Sequence, residues 1–172
     1  MRRVLALVLA ATIAAPASAA LSVGAKAPDF ETTGAIAGKP FKLHLADQLK
    51  KGPVVLYFFP KAFTSGCTAE AHAFSDATKE FKKAGAQVIG MSADDLPTLQ
   101  KFSVTECRNA FPVATASPAT IKAYDVKLPI INMTNRTSYV IARDGQITMV
   151  HSDLSWKEHV TKSLAAVQAL KR

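Results

Sequence analysis

Hydrophobic and polar positions along the chain switch between two periods. Six apolar residues run unbroken from Val54 to Phe59 (VVLYFF), behind the turn Lys51-Gly52-Pro53. A run so short and so rich in strand formers predicts a strand buried on both faces, as in the middle of a parallel sheet. Pro60 ends it. The spacing then changes to steps of three and four at Ala71, Phe74, Ala77, Phe81 and Ala84, predicting a helix over residues 66–84 with Lys82 and Lys83 in its last turn and Gly85 as its stop. Residues 86–91 (AQVIGM) predict a second strand. Ser92-Ala93-Asp94-Asp95 predicts the cap of a second helix, with Leu96, Leu99 and Phe102 on one face. Residues 111–114 predict a short extended piece and 118–123 a short helix. Residues 137–142 and 146–151 predict a hairpin across Arg143-Asp144-Gly145. The capping box Ser155-x-x-Glu158 predicts a last helix reaching to near Lys171. Ahead of all these, residues 25–30 (AKAPDF) begin an extended N-terminal region.

Strands alternating with helices pair in parallel, and the late hairpin adds antiparallel strands. The expectation is an α/β chain of thioredoxin-like arrangement, a mixed central β-sheet flanked by helices on both faces. The length of 172 residues suits one domain with a buried core.

Composition sharpens this in one place. Arg2 and Arg3, the apolar run from Val4 to Ile13 and the small residues Ala17-Ser18-Ala19 form the three-part pattern of a secretory signal peptide. The apolar run is shorter than the roughly 20 residues that a membrane span needs. Residues 1–19 are therefore expected to be a cleaved leader and residues 20–172 the domain, exported and, in a bacterium, periplasmic. Without the leader the net charge falls from +8 to +6. The lysines form no block and no nucleic-acid-binding motif is present, so the surface reads as solvated, with neither nucleic acid nor membrane as partner. No metal or cofactor spacing occurs. Two cysteines, Cys67 and Cys107, allow one disulfide at most.

Cys67 carries the chemical signal. A strand ends, seven residues turn, and a cysteine follows at the start of a helix in the polar context Thr64-Ser65-Gly66-Cys67-Thr68. Backbone N–H groups at a helix N-terminus and the helix dipole favour an anion, so a thiolate there becomes a nucleophile at neutral pH. Thr64 is placed to aim its hydroxyl at the sulfur or at a bound oxygen, and Pro60 fixes the loop. Against this stands the ordinary fate of a free cysteine, burial as a small hydrophobe; Cys67 lies off the apolar helix face.

Pro60-x-x-x-Thr64-x-x-Cys67 resembles the active-site motif of the peroxiredoxins. Its surroundings, Tyr57 to Lys61, Gly66-Cys67-Thr68-x-Glu70, Phe74-Ser75-Asp76, Gly24-x-x-Ala27-Pro28-Asp29-Phe30, Phe111-Pro112 and Arg136-Thr137-Ser138-Tyr139-Val140-Ile141-x-x-Asp144-Gly145, are similar to the bacterioferritin-comigratory, or Q-type, subgroup. The resemblance covers nearly all of residues 22–172. It implies a thiol-dependent peroxidase of hydrogen peroxide or alkyl hydroperoxides, working through a sulfenic acid on Cys67. Thr64 and Arg136 would hold the peroxide and stabilise charge on its leaving oxygen, and Glu70 would orient Arg136. Many members carry a second cysteine five residues after the first; here His72 stands there. Cys107 resembles the resolving cysteine that some members place in the next helix, which implies an intramolecular disulfide and a change of structure on oxidation. A cycle completed by an external thiol stays open. The resemblance also implies no cofactor, a thioredoxin-like reductant and a monomer. Two other readings compete: an exported thiol–disulfide oxidoreductase, which would want a second cysteine where Glu70 stands, and a non-catalytic thioredoxin-like module with a structural bridge.

Overall fold

The computed structural model describes residues 20–129 and 133–170; residues 1–19, the expected leader, lie outside them, as do 171 and 172. In chain order the elements are β1 (Glu31–Ile36), β2 (Lys39–His44), α1 (Leu45–Lys51), β3 (Val54–Phe58), α2 (Ser65–Lys83), β4 (Gln87–Ser92), α3 (Leu96–Thr105), β5 (Val113–Thr115), α4 (Pro118–Ala123), β6 (Thr137–Ile141), β7 (Ile147–Ser152) and α5 (His159–Ala169). Among the described residues, seven strands form one sheet in the order β2-β1-β5-β4-β3-β6-β7. The helical crossovers make β3, β4 and β5 parallel, whereas β6 returns antiparallel to β3 and pairs with β7 in the late hairpin. Among the described residues no helix is long and apolar enough to cross a membrane.

The strand over residues 54–58 lies at the heart of the sheet and is buried along its whole length. Its side chains alternate between two apolar layers. Val55 and Tyr57, with Phe59 just beyond, join Phe74 and Phe81 of α2, Phe102 of α3 and Val167 of α5. Val54, Leu56 and Phe58 face the other way, towards Leu45 and Leu49 of α1 and Ile121 of α4. Helices therefore cover both faces, and the thioredoxin-like mixed sheet is the observed architecture. Cys67 and Cys107 both lie in the first layer.

Two regions differ from the sequence expectation. The extended N-terminal region is a β1–β2 hairpin followed by a short helix. Its turn is made by Ala37 and Gly38, both with positive φ (50° and 75°), a geometry usually signalled by Asn-Gly. Pro40 is tolerated because β2 is an edge strand. The last helix starts at His159, and the capping box is not formed. The Ser155 amide is taken by the Asp153 carboxylate at 2.8 Å, and Glu158 pairs with Lys162 one turn on. Residues 153–155 thus stay out of the helix, and the Leu154 carbonyl is left to serve the site.

Candidate active site

Helix α2 begins where the connection from β3 ends. Thr64 is its N-cap in extended conformation, and the first bond of the helical ladder runs from the Thr68 amide to the Thr64 carbonyl at 2.9 Å. The amides of Ser65, Gly66 and Cys67 precede that bond and have no partner within the helix. Cys67 lies in this first turn, where unpaired N–H dipoles favour an anion.

The connection itself is held at several points. The Thr134 hydroxyl donates to the Phe59 carbonyl at 2.7 Å, the Ala62 amide donates to Asp94 Oδ2 at 2.8 Å, and Ser92 Oγ donates to the same carboxylate oxygen at 2.8 Å. Pro60 sits half-buried in the bend behind β3. Phe63 adopts a left-handed backbone (φ 64°) and lays its ring edge-on to Phe102 of α3, centroids 5.2 Å apart. A bulky residue in that conformation is held there by its surroundings.

Arg136, just before β6, reaches across the start of α2. Its Nη2 donates to Cys67 Sγ at 3.5 Å, its Nη1 donates to Glu70 Oε2, and its Nε donates to the Leu154 carbonyl at 2.9 Å. The arginine is 5% exposed and Glu70 is fully buried, so the fork is fixed on three sides in a poorly hydrated setting. Gly66 makes room for it: a Cβ at that position would sit 3.2 Å from Arg136 Nη2.

Behind Glu70 stands a residue that no sequence pattern singles out. His159, the first residue of α5, is fully buried with Nδ1 3.8 Å from Glu70 Oε1 and 2.8 Å from the Ser138 hydroxyl; its Nε2 lies 3.0 Å from the Asp153 carbonyl. A carbonyl can only accept, so Nε2 carries the proton and Nδ1 accepts from Ser138. Burial pushes His159 down to about 4, so the ring is neutral. Burial also pushes the Glu70 carboxyl up to about 8, against the pull of the Arg136 charge, and Glu70 Oε1 has no hydrogen-bond partner among the described residues. Only packing links His159 to the site, and a histidine 92 positions from the cysteine has no local pattern to reveal it.

Each sequence candidate can now be placed. Cys67, Arg136 and Glu70 come together in one buried cluster. Thr64 lies at the helix start, but its hydroxyl donates to the Lys61 carbonyl at 3.0 Å instead of pointing its proton at the sulfur. The cause is local: an N-cap threonine with a carbonyl three residues back closes a short side-chain turn. That bond uses the hydroxyl's donor and leaves its lone pairs to accept from a ligand. Cys107 lies two residues beyond α3, fully buried, and burial pushes its thiol well above the ordinary cysteine range. Both cysteines are free thiols. Among the described residues no group of three His, Cys, Asp or Glu side chains could hold a metal ion.

Comparison with known proteins places this geometry in a lineage. The model of the AhpC/TSA family matches residues 23–150. A chloroplastic peroxiredoxin Q of Triticum aestivum is 32% identical over 174 aligned positions, covering 91% of this chain and 80% of the relative. The crystal structure of peroxidoxin BcpB from Mycobacterium tuberculosis superposes with a TM-score of 0.76 at 33% identity, over 87% of this chain and 98% of that one. The bacterioferritin comigratory protein of Xanthomonas campestris, whose structures were analysed for alkyl peroxide reduction, superposes with a TM-score of 0.71 at 26% identity, over 81% of this chain and 92% of that one.

Proposed function

The chain belongs to the AhpC/TSA family, and from that premise we propose that it is a peroxiredoxin whose peroxidatic thiol is Cys67 and whose resolving thiol is Cys107. The observation that supports this most directly is the Arg136 Nη2 to Cys67 Sγ contact of 3.5 Å at the unpaired start of a helix. The Cys67 thiolate attacks the terminal oxygen of a hydroperoxide. The O–O bond breaks, the S–O bond forms, and the leaving alkoxide or hydroxide takes up a proton as alcohol or water. Arg136 and the first amides of α2 face the region where negative charge moves from sulfur to oxygen. Thr64 accepts from the peroxide O–H with the lone pairs its bond to Lys61 leaves free. Cys107 then attacks the sulfenic sulfur, the S–S bond forms, the S–O bond breaks, and water leaves. A thioredoxin-like dithiol reduces the bridge. The thiol–disulfide oxidoreductase reading fits less well, because the side chain three residues after Cys67 is Glu70, committed to Arg136.

Hydrogen peroxide and alkyl hydroperoxides are both within this reading, with the protein acting as a monomer. Residues 1–19 are proposed as an export leader, so the protein would work outside the cytoplasm, in a bacterium in the periplasm; N-terminal sequencing of the mature protein checks the cleavage.

The test is peroxide consumption coupled to a dithiol reductant. Cys67→Ser is expected to abolish it. Cys107→Ser is expected to complete one oxidation and accumulate a sulfenic acid that a dimedone-type reagent traps. Wild-type turnover by Cys67→Ser would overturn the reading. Absence of a 67–107 disulfide in peroxide-treated wild type would remove Cys107 from the cycle.

A further inference from the structure

Cys107 is fully buried in the reduced protein, and in the proposed cycle its segment moves to bring the thiol to Cys67. The body of α3 is anchored. Asp95 caps its start by accepting from the Thr98 amide at 2.9 Å. Gln100 Nε2 donates to the Gly38 carbonyl at 2.9 Å, and the Gly38 amide donates to Ser103 Oγ at 3.0 Å. Beyond Ser103 the attachments change character. Arg108 and Asn109 both hold left-handed backbones (φ 50° and 59°), two consecutive non-glycine residues in a conformation that disfavours side chains. Three backbone bonds close the turn: Cys107 amide to Phe102 carbonyl, Asn109 amide to Ser103 carbonyl, and Ala110 amide to Cys107 carbonyl, at 2.9–3.0 Å.

Two side-chain pairs hold this strained turn against α2, one on each side of the cysteine. His72 Nε2 lies 2.9 Å from Glu106 Oε2, and Arg108 Nη1 donates to Asp76 Oδ1 at 2.9 Å. Residues 72 and 76 are one helical turn apart and so point from the same face of α2. Residues 106 and 108 flank Cys107. The inner pair is the better shielded, with side chains 35% and 19% exposed against 47% and 72% for the outer one.

We propose that His72 and Asp76 are positioning residues for the resolving step: with Glu106 and Arg108 they form a two-point clasp that keeps the 106–110 turn closed, and release of the clasp gates delivery of Cys107 to the Cys67 sulfenic acid. The clasp touches neither the sulfur of Cys67 nor Arg136, so it sets the rate of disulfide formation and leaves the first oxidation alone. The strain at Arg108 and Asn109 favours opening once the pairs part. Slow opening leaves the sulfenic acid exposed for longer to a second peroxide, which would carry it to the sulfinic acid. The clasp therefore also sets the tolerance to high peroxide. The inference rests on Cys107 being the resolving thiol.

The experiment separates the two steps by rapid quench, with thiol alkylation and mass analysis of Cys67 and Cys107 after one equivalent of hydrogen peroxide. In His72→Ala and Asp76→Ala, sulfenic acid should form at the wild-type rate. Disulfide formation should speed up by about threefold to fourfold in His72→Ala, by about twofold to threefold in Asp76→Ala, and by about tenfold in the double variant. The sulfinic fraction at high peroxide should fall in parallel. The exchange Asp76→Arg with Arg108→Asp, which restores a pair with its charges reversed, should bring the rate back towards wild type; this control separates loss of the clasp from loss of fold. Unchanged disulfide rates in the double variant would overturn the clasp while leaving the resolving role of Cys107 intact. A wild-type protein that never forms the 67–107 bridge would overturn both.

Discussion

Around Cys67, the groups that build the site are each tied to a different part of the fold. Arg136 is held by Glu70 of α2 and by the Leu154 carbonyl, Phe59 by Thr134, and Ala62 by Asp94. Around Cys107, the ties are a strained turn and two pairs that reach the surface. Both thiols are buried in one apolar layer, yet one sits in a fixed charge environment and the other is merely stored. A preorganised site stabilises moving charge because its dipoles need not reorient, which rewards rigidity. In the proposed cycle Cys107 must travel, so rigidity there gains nothing and low local stability lets it move. The two neighbourhoods therefore predict two separable sets of variants.

The largest effect belongs to the fixed side. Arg136→Lys keeps a positive charge but loses the planar fork that contacts Sγ and Glu70 together. The second-order rate with peroxide should fall about 10²–10³-fold. The rate at which an already formed sulfenic acid closes to a disulfide should stay near wild type. Near-normal peroxide reactivity in the Arg136→Lys variant would mean that charge alone, without the fork, serves the sulfur.

Next comes Gly66→Ala. The new Cβ would lie 3.2 Å from Arg136 Nη2, so the guanidinium must shift by a few tenths of an ångström while Glu70 and the Leu154 carbonyl resist. Peroxide reactivity should drop about tenfold, because small misplacements of a group that contacts the reacting centre are costly. An unaffected variant would show that the contact is slack, and the contrast with the Cys107 side would weaken.

Glu70→Gln tests how the fixed side responds to pH. Burial raises Glu70 from 4.5 to about 8, so the folded state binds its proton more tightly than the unfolded chain does. That stabilising contribution is fully present below about 4.5 and is lost as pH rises towards about 8. The amide cannot titrate. The difference in thermal midpoint between wild type and Glu70→Gln should therefore shift in the variant's favour as pH rises through that window, in a series of melts. A difference that stays flat would mean that Arg136 offsets the burial of Glu70 completely.

The legibility of the molecule in its sequence follows the same division. The strand at 54–58 and the helix from 65 to 83 are readable because burial on both faces, and then on one face, writes a period into the residues. Cys67, Arg136 and Glu70 are readable because a local motif and its flanks carry them; the contact between arginine and carboxylate, 66 residues apart, is implied only by the family resemblance and has no local pattern of its own. His159 and the Leu154 carbonyl leave no trace, being set by packing between α5 and the end of β7. The capping box at Ser155 and Glu158 misleads for a physical reason: its two halves bond elsewhere, the Ser155 amide to the Asp153 carboxylate and the Glu158 carboxylate to Lys162. The N-terminal hairpin stays hidden because an Ala-Gly turn and a strand carrying Gly34 lack the usual markers.

The smallest effect belongs to the stored side. Asn109→Gly replaces a side chain at φ 59° with the residue that adopts this conformation most freely, and it leaves both clasp pairs in place. Asparagine already tolerates the left-handed region better than most residues, so the gain in stability should be only a few tenths of a kcal/mol. Because the relief applies to the closed turn and not to the opened one, disulfide formation should slow, by less than about threefold. Removal of the clasp is expected to speed the same step, so the two substitutions act in opposite directions on one rate while peroxide reactivity stays constant. If Asn109→Gly instead accelerated disulfide formation, the turn would be limited by backbone stiffness on opening, and the left-handed pair could no longer be counted as strain held in by the clasp.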